Sequence, residues 1–392
     1  MSRKRALKRS RRGAVVVLVA LLLIPILAFV ALSVDIGWIA LAKSELQSAA
    51  DSAATAGAQQ LMSGAVQYNI PGASQGTILS TAKTSASTYA KQYSGFNAAG
   101  GVGSLALNNP DIQFGFTDAS GNYSPGGSGF PNTVKVVVRR DGSANGPLGL
   151  FFAPLLGVNS KSLTATAAAT IYAGGTITGF NSSAGIYGSL LPVTVDVNTW
   201  NTFYTTGKSP DGNTYAGPNG APQLQAYPSP KNAPGNIGLL CVGPPTSNTP
   251  TFSSWIDQGP SSSDLAYLTG NGQVPATASN PTSWNGGPGM KSVNTSDFAS
   301  VIGKPRLIPL FQPVSTSPYQ AASSSGSNTY YNIVGFVGAT ITQASGNGSN
   351  MNISVQPCAT LDPTAIFSPS SIVPFGVNGT TVTTFVGVKL TQ

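Results

Sequence analysis

The sequence predicts an α+β protein: one N-terminal transmembrane helix continuing into a stalk helix, then a small α+β unit and a mainly β extracytoplasmic domain. Three observations predict it. Residues 14–34 form an uncharged apolar run, and residues 40–62 form an alanine-rich run without proline. Beyond them, short β-like stretches are separated by segments rich in Gly, Pro, Ser, Asn and Thr. Only 8% of the 392 residues are charged, against roughly 25% in ordinary soluble domains. That composition suits β-rich extracytoplasmic domains better than helical cytosolic enzymes.

The apolar run, Ala14 to Val34, is 21 residues long. As a helix at ~1.5 Å per residue it spans ~31 Å, enough for a hydrocarbon core of ~30 Å. Pro25 is tolerated because lipid-embedded helices accept kinks. Seven of the 20 basic residues precede or open this run: Arg3, Lys4, Arg5, Lys8, Arg9, Arg11 and Arg12. The positive-inside rule keeps them in the cytoplasm. The expected topology is single-pass in a bacterial cytoplasmic (inner) membrane, with the bulk of the chain extracytoplasmic. A cleaved secretory signal is the rival, but such signals carry a shorter apolar core and a small-x-small cleavage site. Here the run is longer and Asp35-Ile36-Gly37-Trp38 follows it.

Without that basic start the chain holds 13 basic against 12 acidic residues. No basic track remains for nucleic acid, so no nucleic-acid partner is expected.

Ala40 to Met62 is built from good helix formers. Leu46, Ala50, Ala53 and Gly57 share one small-residue face, a candidate helix-packing face. It packs either on the chain's own domain or on other subunits, including self-association through this helix. Lys43, Gln47, Asp51, Thr55 and Gln59 form a polar stripe elsewhere.

These residues, taken together, carry a resemblance. The order is Arg12-Gly13, the apolar span, Asp35-Ile36-Gly37, then Leu46-Gln47-Ser48-Ala49-Ala50-Asp51-Ser52-Ala53-Ala54-Thr55-Ala56-Gly57-Ala58. It resembles the N-terminal module of TadE/TadG-like proteins of Flp (tight-adherence, Tad) pilus assembly, over roughly residues 11–62. The resemblance implies a non-enzymatic envelope component whose partners are the cytoplasmic membrane and other pilus or secretion-apparatus proteins. Pilin-like members are cut after a Gly before the apolar run, which makes Gly13 and Ala14 the candidate prepilin-peptidase site. Those members also carry a Glu five residues after the cut; here that position is Leu18, and the chain's sole Glu is Glu45. This departure leans toward the uncut, TadG-like type. A minor pilin entering a filament is the alternative, and a surface adhesin or glycan-binding module is another.

Domain boundaries are expected at 1–13 (basic segment), 14–34 (transmembrane helix), 35–63 (stalk helix), 64–175 (membrane-proximal α+β domain) and 176–392 (β-rich outer domain with long loops). Residues 76–93 read as a second helix. Asp111–Phe116, Thr133–Arg140 and Ser162–Ala173 read as strands. Between the last two lies an apolar run, Leu148–Val158, too short to span a bilayer. Inward packing is its expected fate, with the membrane interface or a partner as the alternatives. Farther on, Tyr187–Val197, 236–242, 306–314, Tyr330–Thr342, Met351–Cys358 and 383–390 read as strands, and 205–235 and 243–299 as loops.

The chemistry is sparse. The chain has no histidine, which removes Ser-His-Asp and Cys-His sites and the usual zinc ligands. No phosphate-binding glycine motif occurs. Asp118-Ala119-Ser120-Gly121-Asn122 and Asp211-Gly212-Asn213 read as turns and not as metal loops. No catalytic residue, metal or cofactor is expected. Cys241 and Cys358 leave open one disulfide or two separate buried thiols.

Overall fold

The computed structural model describes residues 12–173, 175–183, 185–227, 237–287, 295–312, 330–346, 351–360, 362–367, 373–374 and 386–391. The basic segment through Arg11 lies outside them, as do residues 236, 313–314 and 383–385 of the expected strands.

In chain order the first elements are α1 (Arg12–Tyr68), α2 (Gln75–Gly95), β1 (Ile112–Thr117), β2 (Tyr123–Pro125), β3 (Thr133–Arg140), β4 (Leu148–Gly149), β5 (Ser160–Lys161) and β6 (Leu163–Ala173). There follow β7 (Ile177–Phe180), β8 (Val193–Asp196), α3 (Val197–Thr206), β9 (Tyr215–Ala216), β10 (Pro222–Tyr227) and β11 (Ile237–Leu239). Then come α4 (Thr249–Asp257), α5 (Ser262–Gly270), β12 (Thr282–Asn285), α6 (Thr295–Ala299), β13 (Pro305–Gln312), β14 (Tyr330–Ser345), β15 (Asn352–Pro357), β16 (Ala365–Phe367), β17 (Val373–Pro374) and β18 (Val386–Leu390). This is α+β, with the mainly β part toward the C-terminal side.

The membrane and stalk helices are one helix of 57 residues with Pro25 inside it. The part from Val16 is long and apolar enough to cross a membrane. Its large side chains stand exposed, from Val16 at 68% to Val34 at 45%. The character changes where the sequence turns alanine-rich: Ala42, Leu46, Ala49, Ala50, Ala53 and Ala54 are fully buried.

The contact pattern divides the chain into two compact units: residues up to Ala53 with Ala90–Ile112 and Val136–Ala167, and Ala54–Tyr89 with Gln113–Lys135 and Ala168–Gln392. A six-stranded sheet runs in the order β17-β6-β3-β1-β2, with β18 also paired to β6. Alternation explains its central strand: Val134, Val136 and Val138 of β3 are each 0% exposed. The β1–β2 hairpin turns at Asp118, whose carboxylate accepts the amides of Ser120 and Asn122. The Asn122 amide first, then the Asn122 side chain and the Ser120 amide, hold the Asp118 carboxyl below its ordinary pKa.

An eight-stranded sheet has the order β11-β8-β13-β14-β15-β10-β9, with β12 beside β14. Only the β8–β13 pair is parallel among its described pairings. The 243–299 stretch, read from sequence as loop, carries α4, α5 and α6. Helices of nine residues or fewer are marginal by propensity alone. Here they form because Phe252, Trp255 and Ile256 of α4 and Leu265 and Leu268 of α5 join the core with Val195, Leu307 and Ile333. Each such burial contributes about 1.5–3 kcal/mol. Ser261 and Asp264 close a capping box that starts α5.

Candidate membrane-exit site

Charged groups in this chain are few, and four of them, Asp35, Lys43, Glu45 and Arg140, meet backbone groups beyond the apolar stretch of α1. Asp35 is the first charge after that stretch and is 2% exposed. Its Oδ1 accepts the amide of Phe151 at 2.7 Å, and its Oδ2 accepts those of Phe152 at 3.0 Å and Ala153 at 2.6 Å. Burial pushes this carboxyl up, but the donors at Phe151, Ala153 and Phe152 outweigh it and hold it below the ordinary value. One turn on, Trp38 Nε1 donates to the Gly149 carbonyl at 3.2 Å, and its ring lies 5.7 Å from that of Phe151.

Glu45 accepts the Gly100 amide at 2.8 Å. Arg140, at the end of β3, donates to the carbonyls of Ala99 (2.6 Å), Gly100 (2.8 Å), Gly146 (2.9 Å) and Pro147 (3.2 Å). Gly100 has φ +53°, and a Cβ there would strike Leu148. Only glycine suits that position. The polar stripe of α1 is also occupied: Lys43 donates to the Thr164 carbonyl of β6, and Gln47 donates to Thr166 at 3.1 Å.

The fastened loop is Leu148–Val158. Inward packing was its expected fate, and the structure corrects this. Leu148 is buried, but Phe151, Phe152, Leu155, Leu156 and Val158 are 62, 41, 85, 79 and 49% exposed. The cause is local: β4 and β5 pair, Ala153–Leu156 makes a 3-10 turn, and Asp35 holds the turn's entry, so its side chains point outward.

The remaining expected site residues sort as follows. Gly13 and Ala14 lie in the first turn of α1, and Leu18, five after Gly13, is 61% exposed. Leu46, Ala50, Ala53 and Gly57 are all buried. Cys241 and Cys358 are free, buried thiols, so the disulfide left open by the sequence is not formed. Cys241 Sγ contacts the Thr246 and Gly286 carbonyls, while Cys358 Sγ contacts Thr360 Oγ1. Burial raises both thiols, Cys358 to about 11, which makes them poor nucleophiles. Apart from those expected residues, Trp200, Trp255 and Trp284 are core anchors at 0, 3 and 0% exposure. Among the described residues no cluster of three His, Cys, Asp or Glu could hold a metal.

Sequence reasoning missed the working partners of Asp35, Glu45 and Arg140. The one available signal was Asp35 itself, a charge set directly against an uncharged span.

Residues 13–60 match the family model Tad, described as Flp pilus-assembly TadE/G-like. Searches of curated proteins and of solved structures return no match.

Proposed function

We propose that the chain is a membrane-anchored, non-enzymatic component that assists assembly of an Flp/Tad-type pilus or related secretion apparatus through protein-protein contacts. The observation that carries this reading is the Tad match at 13–60 falling on a single apolar helix that runs without a break into the folded part. In this reading the N-terminus is cytoplasmic, the membrane is the bacterial inner membrane, and the folded bulk lies outside the cytoplasm. Its partners are other pilus or secretion-apparatus proteins, met through surfaces other than the buried Leu46–Gly57 face.

A minor pilin is the second reading, favoured by Gly13 ahead of the apolar run. Against it, the sole Glu, Glu45, is occupied by the Gly100 amide, and Leu18 stands where a pilin would carry its acid. Intact mass and N-terminal sequencing of protein from membranes and from sheared filaments separate the two. A chain retaining its basic start and found only in membranes is the expected result. A chain starting at Ala14 in filaments would replace this reading with the pilin one. Deletion of the gene with undiminished piliation would remove both.

A further inference from the structure

The hairpin Leu148–Lys161 has the build of a second membrane-contacting element, and it lies outside the family match at 13–60. Its base carries polar side chains on the returning side, Asn159, Ser160 and Lys161: Leu148 pairs with Lys161 and Gly149 with Ser160, and the Leu150 amide donates to the Asn159 carbonyl at 3.1 Å. Its tip is apolar and uncharged, with Phe151, Phe152, Leu155 and Leu156 exposed. Apolar tip and polar base are therefore separated along the hairpin, as the hydrocarbon and headgroup layers are separated in a bilayer.

The tip is continuous with the membrane helix. Phe152 and Leu155 line one shallow apolar groove with Leu27, Ala28, Val30, Ala31 and Val34. Leu27 precedes Asp35 by eight residues, so at ~1.5 Å per residue the groove that the tip lines runs ~12 Å along α1 from the level of Asp35. Trp38, whose ring meets Phe151, would then sit at the interface where tryptophan is enriched.

The backbone supports the same occupant. Lipid offers no hydrogen bonds, so a loop facing it must satisfy its own polar groups. Phe151, Phe152 and Ala153 give their amides to Asp35; Leu155 donates to Phe152, Gly157 to Pro154 and Val158 to Ala153. Pro154 has no amide to satisfy.

We infer that the Phe151–Val158 tip inserts into the outer part of the bilayer beside α1, its side chains packed among lipid acyl chains, with Asp35 as the residue that holds it there. The inference rests on the membrane-anchor reading and adds a second lipid contact to it. The partner is lipid, not protein.

The test uses the full chain in lipid nanodiscs, with a nitroxide attached at Leu155→Cys and, separately, at Leu156→Cys. Leu21→Cys serves as the in-membrane reference and Ser120→Cys, in the exposed Asp118 turn, as the water reference. The unsubstituted chain sets the background from the buried native thiols. Collision with apolar oxygen and with a water-soluble nickel chelate is measured at each site. The expected result at 155 and 156 is oxygen access close to the Leu21 reference and nickel access several-fold below the Ser120 reference. Nickel access equal to that at 120 overturns the inference in favour of a solvent-exposed hairpin. Exclusion of both reagents overturns it in favour of a covering protein. Nickel access at the Leu21 site as well would overturn the anchor reading together with the hairpin, so the two failures are distinguishable.

Discussion

At the scale of single residues, Asp35 links the membrane helix to the fold. Two of its three amide donors, Phe152 and Ala153, share Oδ2, and the third, Phe151, uses Oδ1. An asparagine offers one acceptor oxygen and turns its own NH2 toward the remaining donor or donors, so Asp35→Asn should release part of the loop. Amide exchange at Phe151, Phe152 and Ala153 should quicken while exchange in β3 stays unchanged; equal protection in the variant would show that the carboxylate is dispensable. The pH dependence has a definite sign. The folded carboxyl lies below its ordinary value of 3.8, so its contribution is complete above that value and is lost as pH falls below it, through the lower folded pKa. Loop protection should therefore be level from neutral pH to about 4 and fail at lower pH; the asparagine variant should lack this local transition. The sequence displayed Asp35 as part of an Asp-x-Gly exit. Its partners lie 116 to 118 residues away, and no periodicity or spacing reports a contact at that range.

At the scale of elements, what could be read from sequence was whatever has a local period. The helix faces of α1 and α2 and the alternation in β3 and β6 repeat every 3.6 or two residues and need no partner to be recognised. Burial of an aperiodic apolar run has no such signature, which is why Leu148–Val158 was expected inside and is found outside. The short helices α4 and α5 were hidden for the opposite reason: their Gly-, Ser- and Pro-rich surroundings look like loop, and only contacts with the core make them helical. The small face of α1 tests how element packing bears on assembly. Ala53 is 0% exposed, so Ala53→Leu overfills a closed space, which costs about 1–3 kcal/mol. Thermal unfolding of the variant should shift downward, and any loss of pili should follow from that instability. A variant that unfolds at the original temperature yet blocks assembly would return this face to a subunit-contact role.

At the scale of the whole molecule, the least legible feature is the pairing of β6 with β18, which joins positions more than 200 residues apart. Val386 to Leu390 pair antiparallel with Ala173 back to Ala169, and Thr391 extends the contact by donating to the Ala168 carbonyl at 2.8 Å. Farther along the same strand, the carbonyls of Thr166 and Thr164 are taken by Gln47 and Lys43 of α1. An unpaired strand edge is a template for aggregation, so β18 protects residues 168–173 of β6 in a chain with few charges to keep edges apart. Removing residues 386–392 tests it. Five residue pairs are lost, and at roughly 0.2–1 kcal/mol each the cost is about 1–5 kcal/mol. Membrane insertion, set by the N-terminal helix, should be untouched, while the unfolding temperature falls and proteolysis begins within 168–173. Unfolding and cleavage indistinguishable from the intact chain would mean that β6 keeps its edge closed without β18.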